Sequence, residues 1–186
     1  MWNAFTGCIG ALISRHKVDP ARIKAIGISS LCPGLAAFDE KGTVLVDPII
    51  YSDRRSTEEA EIFRQTIGTE KLFAITANSP MAGAMSGTSM LWIKRHLPEV
   101  YAKTRYFGHV NTLIAHMLCG NFAIDHSNAS YTLLYETAGA GTWSQEICDK
   151  IGIDMAKLPP LHKSTDVVGT LTHPVLLAMG LSPETK

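Results

Sequence analysis

The sequence predicts an α/β protein in which short buried strands alternate with amphipathic helices. Two observations carry this prediction. The segment Ile23–Ser30 is a short apolar run rich in isoleucine, and it follows a helical pattern that stops at Asp19-Pro20, as expected of a buried, parallel strand. Residues 88–97 have the apolar spacing of a helix and end at Pro98. Of the 186 residues, 46% are hydrophobic and 18% are charged, which favours a packed core over disorder.

The first elements follow from local patterns. The run 35–38 and the run 43–46 flank the turn Asp39–Gly42, and together they predict a β-hairpin. The run 49–51 predicts another short strand. Apolar side chains at helical spacing predict a first helix that reaches about Lys17; they are Trp2, Phe5, Ile9, Leu12 and Ile13.

A capping pattern predicts the next helix. Ser56 is followed three residues later by Glu59, and this spacing resembles a capping box, in which each side chain bonds the backbone of the other residue. The predicted helix continues to about Gln65.

The second half of the chain carries further signals. Residues 106–110 predict a short strand, and Asn111 is expected to cap a helix that ends at Cys119. Gly120 then occupies a position that favours a left-handed helix end. A last helix is expected over 144–152.

Charge, hydropathy and cysteine usage exclude several function classes. Seventeen basic residues balance seventeen acidic ones, so electrostatics favour neither nucleic acid nor an anionic membrane as partner. No stretch reaches the roughly 18 apolar residues of a membrane span, and the first residues lack the basic start and cleavage pattern of a signal peptide. The four cysteines and seven histidines show no metal-binding or disulfide spacing. We therefore expect a cytoplasmic protein with reduced thiols.

The most suggestive polar cluster is Asp53-Arg54-Arg55, which follows the predicted strand 49–51. Sites in open α/β sheets lie beyond the carboxyl ends of strands. Asp53 can accept hydrogen bonds from a polyol, and Arg55 can orient that carboxylate or contact an anion. Tyr51 offers an aromatic face to the C–H groups of a sugar. From the residues alone, a solvated loop before a helix is the slightly better explanation of Asp53-Arg54-Arg55, and Tyr51 could equally be a core residue.

Other catalytic motifs are missing from the sequence. The stretch Met81–Thr88 contains two glycines but neither the lysine of a P-loop nor the G-x-G-x-x-G spacing. We interpret it as a flexible loop, although its amides could hold an anion. No Ser/His/Asp or Cys/His set has a recognisable spacing, and since triads are defined by geometry, the sequence leaves that question open.

Several short motifs occur in a fixed order along nearly all 186 residues. They are I-K-A-I-G-I-S-S at 23–30, F-D-E-K-G at 38–42, D-P-I-I-Y-S-D-R-R at 47–55, S-M-L-W-I-K-R-H-L-P-E at 89–99, H-V-N-T-L-I-A-H-M-L-C-G at 109–120, D-H-S-N-A-S at 125–130 and L-P-P-L with V-G between 158 and 169. In this order they resemble the first domain of the FGGY family of carbohydrate kinases, and its xylulose-kinase-like branch in particular.

The resemblance implies an incomplete ribonuclease H-like domain of the actin/hexokinase ATPase type, with a mixed sheet and flanking helices. It implies that residues 1–186 form a single unit from the central part of that domain. Family members transfer the γ-phosphate of ATP, with Mg²⁺, to a sugar or polyol hydroxyl in a cleft between two domains. The D-x-G-T-type phosphate motif, the first strands and the ATP-binding domain are expected outside this chain, and the catalytic aspartate beyond Lys186. We therefore expect these residues alone to be inactive, without tight ATP or Mg²⁺ binding.

The resemblance also implies which residues contact the substrate, a pentose, a pentulose or a related polyol. Asp53 and Arg55 match a D-x-R pattern of the xylulose-kinase-like branch, and Tyr51 stands where many members have tryptophan. Cys32 and Pro33 occupy a sugar-contacting pair that is Arg-Glu in glycerol kinases and Met-His in xylulose kinases. Neither pair is present here, so hydrogen bonding from this strand is expected to differ from both.

Two other interpretations stay open. The chain could be a non-catalytic module derived from the kinase fold that binds a sugar or a protein. Strand edges left unpaired by the absent strands would then favour a homodimer. Alternatively, an unrelated α/β enzyme would need a catalytic constellation that the sequence does not show.

Overall fold

Helices form most of the regular structure in residues 2–186, which the computed structural model of the chain describes. Their bounds are α1 (Trp2–His16), α2 (Thr57–Ile67), α3 (Thr69–Thr76), α4 (Ser86–His96), α5 (Pro98–Lys103), α6 (Val110–Cys119), α7 (His126–Ser130), α8 (Gln145–Ile151) and α9 (Pro174–Ala178). Short 3-10 turns occupy Pro20–Arg22 and Met155–Lys157.

The strands form two small sheets. β1 (Gly34–Phe38) lies at the centre of a three-stranded antiparallel sheet, between β2 (Ile49–Ile50) and β3 (Tyr106–Gly108). β4 (Ile124–Asp125) pairs in parallel with β5 (Leu161–His162). Parallel and antiparallel pairing with helices around them confirms the predicted mixed α/β architecture.

β1 lies at the centre of the core, and both of its faces are buried. Side chains alternate across a strand, so Leu35 and Ala37 join the main cluster with Phe63 of α2, while Ala36 and Phe38 join a second cluster on the side of α6. The sheet is therefore packed between helices, and the loops at its ends are held by a rigid frame.

The predicted strand Ile23–Ser30 is absent. Ile26 N–H donates to the carbonyl oxygen of Lys186 at 2.7 Å, and Lys186 N–H donates to that of Lys24 at 2.9 Å. A strand needs a ladder of such bonds, and this one pair leaves the segment without regular secondary structure. Its apolar side chains, such as Ile28, still pack on the cluster around Leu176.

Two predicted side-chain caps are wrong, the first because tertiary contacts take the capping groups and the second because the helix begins before the predicted capping residue. The Ser56 hydroxyl bonds that of Thr88 at 2.9 Å instead of the helix backbone, and the buried Glu59 carboxylate pairs with Arg95. Asn111 lies inside α6, whose N-cap is His109, so it does not cap that helix.

The other boundaries agree more closely with the sequence. Gly120 and Gly152 have left-handed backbones at the ends of α6 and α8. The turn Asp39–Gly42 forms, but the second arm of the hairpin is reduced to a single bridge between Phe38 and Val44. In α1 the side chains of Phe5, Ile9 and Ile13 pack on the Leu176 cluster and Leu12 stays exposed, whereas the side chain of Trp2 lies outside the described residues.

Candidate functional site

Pro33 and Tyr51 lie at one end of the β1–β2 pair. Gly34 pairs with Ile50, so the residues just beyond this register, Pro33 and Tyr51, are neighbours at the same sheet end. Pro33 is buried and follows Cys32 through a cis peptide bond. Tyr51 is 50% exposed, so it is not a core residue and presents its ring to solvent.

Asp53 and Arg55 form an ion pair next to Tyr51. The Arg55 guanidinium lies 2.8 Å from Asp53 Oδ2 and stacks over Trp92 of α4 at 4.9 Å. The Arg55 backbone N–H also donates to Asp53 Oδ1 at 2.9 Å. These hydrogen bonds from Arg55 hold the pKa of Asp53 below its usual range. Asp53 is thus an oriented carboxylate that stays ionised near neutral pH.

The glycine-containing loop before α4 packs under this ion pair. Arg54 donates to the carbonyl oxygen of Ala82, and Gly83 has a φ of +73°. A Cβ at Gly83 would lie 2.2 Å from the Asp53 carbonyl oxygen and 2.7 Å from that of Tyr51. Ala82, Gly83 and Met85 are buried. This loop therefore packs closely against the backbone of Tyr51 and Asp53.

A buried histidine links the remaining candidate, Cys32, to the same loop. His109 is 0% exposed. Its Nε2 lies 2.8 Å from Ser86 Oγ, and its Nδ1 lies 3.2 Å from Asn128 Oδ1 and 3.8 Å from Cys32 Sγ. Burial lowers the pKa of His109 from 6.5 to about 4, so the ring is neutral at physiological pH. Sequence reasoning missed this residue, because its partners lie far away along the chain.

The network ends at Asp125, beside a polar cavity of about 300 Å³. Asp125 Oδ2 accepts hydrogen bonds from the side-chain amides of Asn111 at 2.8 Å and Asn128 at 2.7 Å. Burial, and then the charge of Asp125, raise the pKa of Cys32 to about 11. Cys32 is therefore a neutral thiol with little nucleophilic character. Ser30 also lines the cavity, whereas Tyr51 does not.

Ser86, His109 and Asn128 have the order of a hydrolytic triad, but not its accessibility. The Ser86 side chain is 1% exposed, so a substrate carbonyl cannot approach its hydroxyl. Within residues 2–186 there is also no group of three or more His, Cys, Asp or Glu side chains that could hold a metal ion. These three residues therefore serve to connect elements.

Burial of His109 makes stability depend on pH. The unfolded state takes up a proton near pH 6.5, whereas the folded state does so only near pH 4. The unfolded state thus binds more protons between these values, and lowering the pH from 7 to 5 is expected to remove about 2 kcal/mol through His109 alone. Urea unfolding of the wild type and of His109→Asn at both pH values measures this, because the other histidines are common to both. An equal fall in the two proteins would contradict it.

The four cysteines are free, and Cys148 is buried among the core residues. In the part of the chain that the structure describes, no helix combines the length and the hydropathy that crossing a membrane requires.

Comparison with known proteins gives a consistent family. The family model for the N-terminal domain of the FGGY family of carbohydrate kinases matches residues 1–186. A xylulose kinase of Bacillus subtilis is 32% identical over 178 residues, which cover 96% of this chain and 35% of the relative. A glycerol kinase of Thermococcus gammatolerans is 29% identical over 173 residues, which cover 91% of this chain and 34% of the relative. This chain thus spans about a third of the length of these relatives.

Solved structures agree with the sequence comparison. A xyloylose kinase from Brucella ovis superposes with a TM-score of 0.83 at 26% identity, over 94% of this chain and 35% of the other. A gluconate kinase from Lactobacillus acidophilus has a TM-score of 0.84 at 21% identity, over 99% of this chain and 37% of the other. The likeness confirms the predicted ribonuclease H-like fold of the actin/hexokinase type.

Proposed function

Because this chain belongs to the FGGY family of carbohydrate kinases and matches its N-terminal domain, we propose that it forms the sugar-binding wall of an ATP-dependent carbohydrate kinase. The observation that carries the proposal is the arrangement of an exposed Tyr51 ring beside the ion-paired carboxylate of Asp53. The substrate we propose is a pentose, a pentulose or a related polyol.

The chemistry of the wall fits a polyhydroxylated substrate. A sugar presents C–H groups on one face, which pack on an aromatic ring, and hydroxyls at its edge, which donate to a carboxylate. Tyr51 supplies the ring and Asp53 the acceptor, and Arg55 keeps that acceptor ionised and oriented. The half-buried Cys32 closes the wall on the strand side with a weakly polar thiol, and Pro33 next to it is buried. The substrate is bound there and held for transfer.

Phosphate transfer itself is assigned to no residue of this chain. The described residues present no cluster of metal-ligating side chains, and the sequence has no lysine-bearing phosphate loop, so the residues present do not fit ATP with Mg²⁺. We propose that residues 1–186 form a single unit that, alone, binds sugar without phosphorylating it. We also propose that the protein is cytoplasmic, since its substrate and ATP meet there.

Calorimetric titration tests the assignment. We expect the 186-residue chain to bind one member of a panel of D-xylulose, D-xylose, glycerol and gluconate, and to give no heat with ATP and Mg²⁺. Asp53→Asn should weaken the sugar affinity about tenfold, because a charged acceptor becomes a neutral one. Asp149→Asn, at an exposed carboxylate of α8, is the control and should bind as the wild type does. ATP binding, or equal affinities of both variants, would refute the assignment.

A second candidate function, a binding module that self-associates, is favoured by an apolar groove of about 270 Å³ beside α1. Leu12, Val18 and Ile23 line it. Leu12 and Val18 are 53% and 39% exposed. We propose a second copy of the chain as the occupant. In sedimentation experiments Leu12→Glu should raise the dimer dissociation constant more than about tenfold. A monomeric wild type at all concentrations would reject this proposal.

A further inference from the structure

We propose that His109 is a positioning residue for the sugar-binding wall: through a tautomer fixed by Asn128 and Asp125, it holds Cys32 and the start of α4 in register. The inference rests on the proposed function only in so far as Cys32 faces the sugar. His109 itself is fully buried and cannot reach a ligand at Tyr51 or Asp53, so any effect on binding passes through its neighbours.

The tautomer follows from the order of donors and acceptors. The Asp125 carboxylate can only accept, so the Asn128 amide that lies 2.7 Å from it points its NH₂ group there. The Asn128 carbonyl oxygen then faces His109 Nδ1 at 3.2 Å, and Nδ1 must carry the proton. In a neutral imidazole Nε2 is then an acceptor, and it receives the Ser86 hydroxyl at 2.8 Å.

A competing arrangement has poorer geometry. Ser86 Oγ also lies near the Tyr131 carbonyl oxygen, but at 3.5 Å, which is long for a hydroxyl donor. A proton on Nε2 would also leave Nδ1 as an acceptor opposite the Asn128 carbonyl oxygen. Two acceptors would then face each other in a buried site, which is unfavourable.

His109 joins segments that are distant in sequence but meet at the wall. Ser86 is the first residue of α4 and follows the loop in which Gly83 packs under Tyr51 and Asp53. Cys32, on the opposite side of the ring, precedes Pro33 and β1. One ring therefore sets the spacing between the loop under the ion pair and the strand-side wall. A change at His109 should move these segments relative to each other without removing a sugar contact.

The first experiment observes the tautomer in the wild-type chain. Long-range ¹H–¹⁵N spectra distinguish a protonated Nδ1 from a protonated Nε2 in each histidine. We expect the His109 signals to show protonated Nδ1 and unprotonated Nε2, unchanged between pH 8 and 5.5. A protonated Nε2, or a ring that titrates in this range, would overturn the inference.

The second experiment follows Cys32 with cysteine-selective ¹³C labelling. Its Hα–Hβ couplings should indicate one rotamer in the wild type and in His109→Asn, whose amide nitrogen keeps a donor towards Asn128. His109→Leu should average the couplings, and so should Asn128→Ala, which decides the matter if His109→Leu does not fold. His16→Leu, at an exposed position of α1, is the control. A fixed rotamer in both His109→Leu and Asn128→Ala would overturn positioning.

Sugar titration separates this inference from the proposed function. With the sugar that the wild type binds, His109→Leu is expected to weaken affinity about tenfold and His109→Asn less than about threefold. Equal losses in both would argue against positioning through the Nδ1 donor. A wild type that binds no sugar would refute the proposed function alone, since tautomer and couplings would still decide the role of His109.

Discussion

Replacing Gly87 by alanine is expected to lower the free energy of unfolding by about 3–5 kcal/mol. Gly87 lies in the first turn of α4, and a Cβ there would stand 2.1 Å from the Thr132 carbonyl oxygen. No side chain can move to relieve this contact, because the atom struck belongs to a buried backbone.

The clash must therefore separate α4 from the segment that follows α7. Two backbone hydrogen bonds join them, from Ser86 N–H to the Tyr131 carbonyl oxygen and from Gly87 N–H to that of Thr132, both at 2.9 Å. Losing both hydrogen bonds is expected to lower the free energy of unfolding by about 2 kcal/mol, and overpacking lowers it further, by about 1–3 kcal/mol. Urea unfolding monitored by circular dichroism measures the sum.

Gly7→Ala supplies the matched control. Gly7 lies inside α1, and no atom lies within 4 Å of the position that an added methyl group would take. Alanine should therefore stabilise the chain by about 0.5–1 kcal/mol through helix propensity alone. If Gly87→Ala changed stability by less than about 1 kcal/mol, the close docking of α4 on Thr132 would be wrong.

Elements whose signals are local could be predicted from the sequence. The helix α8 ends at Gly152 because a left-handed residue terminates a helix whatever the rest of the chain does. The core helix α4 is recognisable from its apolar spacing and from Pro98, although it begins at Ser86, before the predicted start.

Elements that depend on distant partners could not be predicted. Ile23–Ser30 has the composition of a strand, yet composition does not specify a ladder partner. Lys186 and the Thr185 hydroxyl make isolated hydrogen bonds to its backbone instead of a ladder. Ser56 and Glu59 have the spacing of a capping box, but Arg95 and Thr88, which take their side chains, are more than 30 residues away.

The same distinction between local and distant contacts explains which parts of the candidate site could be predicted. Asp53 and Arg55 are two residues apart, so their ion pair could be anticipated from the D-x-R pattern. His109 meets Cys32 across 77 residues and Ser86 across 23. No spacing rule describes such contacts, and burial makes this histidine a structural partner that composition alone would assign to the surface.

Gly83→Ala is expected to disturb the candidate wall directly. The methyl group would press on the carbonyl oxygens of Asp53 and Tyr51 at 2.2 and 2.7 Å, from a backbone at φ +73° that disfavours side chains. Strain and displacement together should lower the free energy of unfolding by about 2–4 kcal/mol and weaken sugar affinity about tenfold. Urea unfolding and calorimetric titration of the same variant measure the two effects.

Gly120→Ala separates the strain of a side chain at positive φ from the steric clash with neighbouring atoms. Gly120 ends α6 at φ +78° with no atom within 4 Å of an added Cβ, so alanine there meets the backbone penalty of about 1 kcal/mol without a clash. It should leave sugar affinity unchanged, because the end of α6 lies away from Tyr51 and Asp53. If Gly83→Ala were no worse than Gly120→Ala in both measurements, the loop before α4 would not support the wall. A larger loss at Gly83 in both would show that close backbone packing, and not glycine flexibility, is what this position requires.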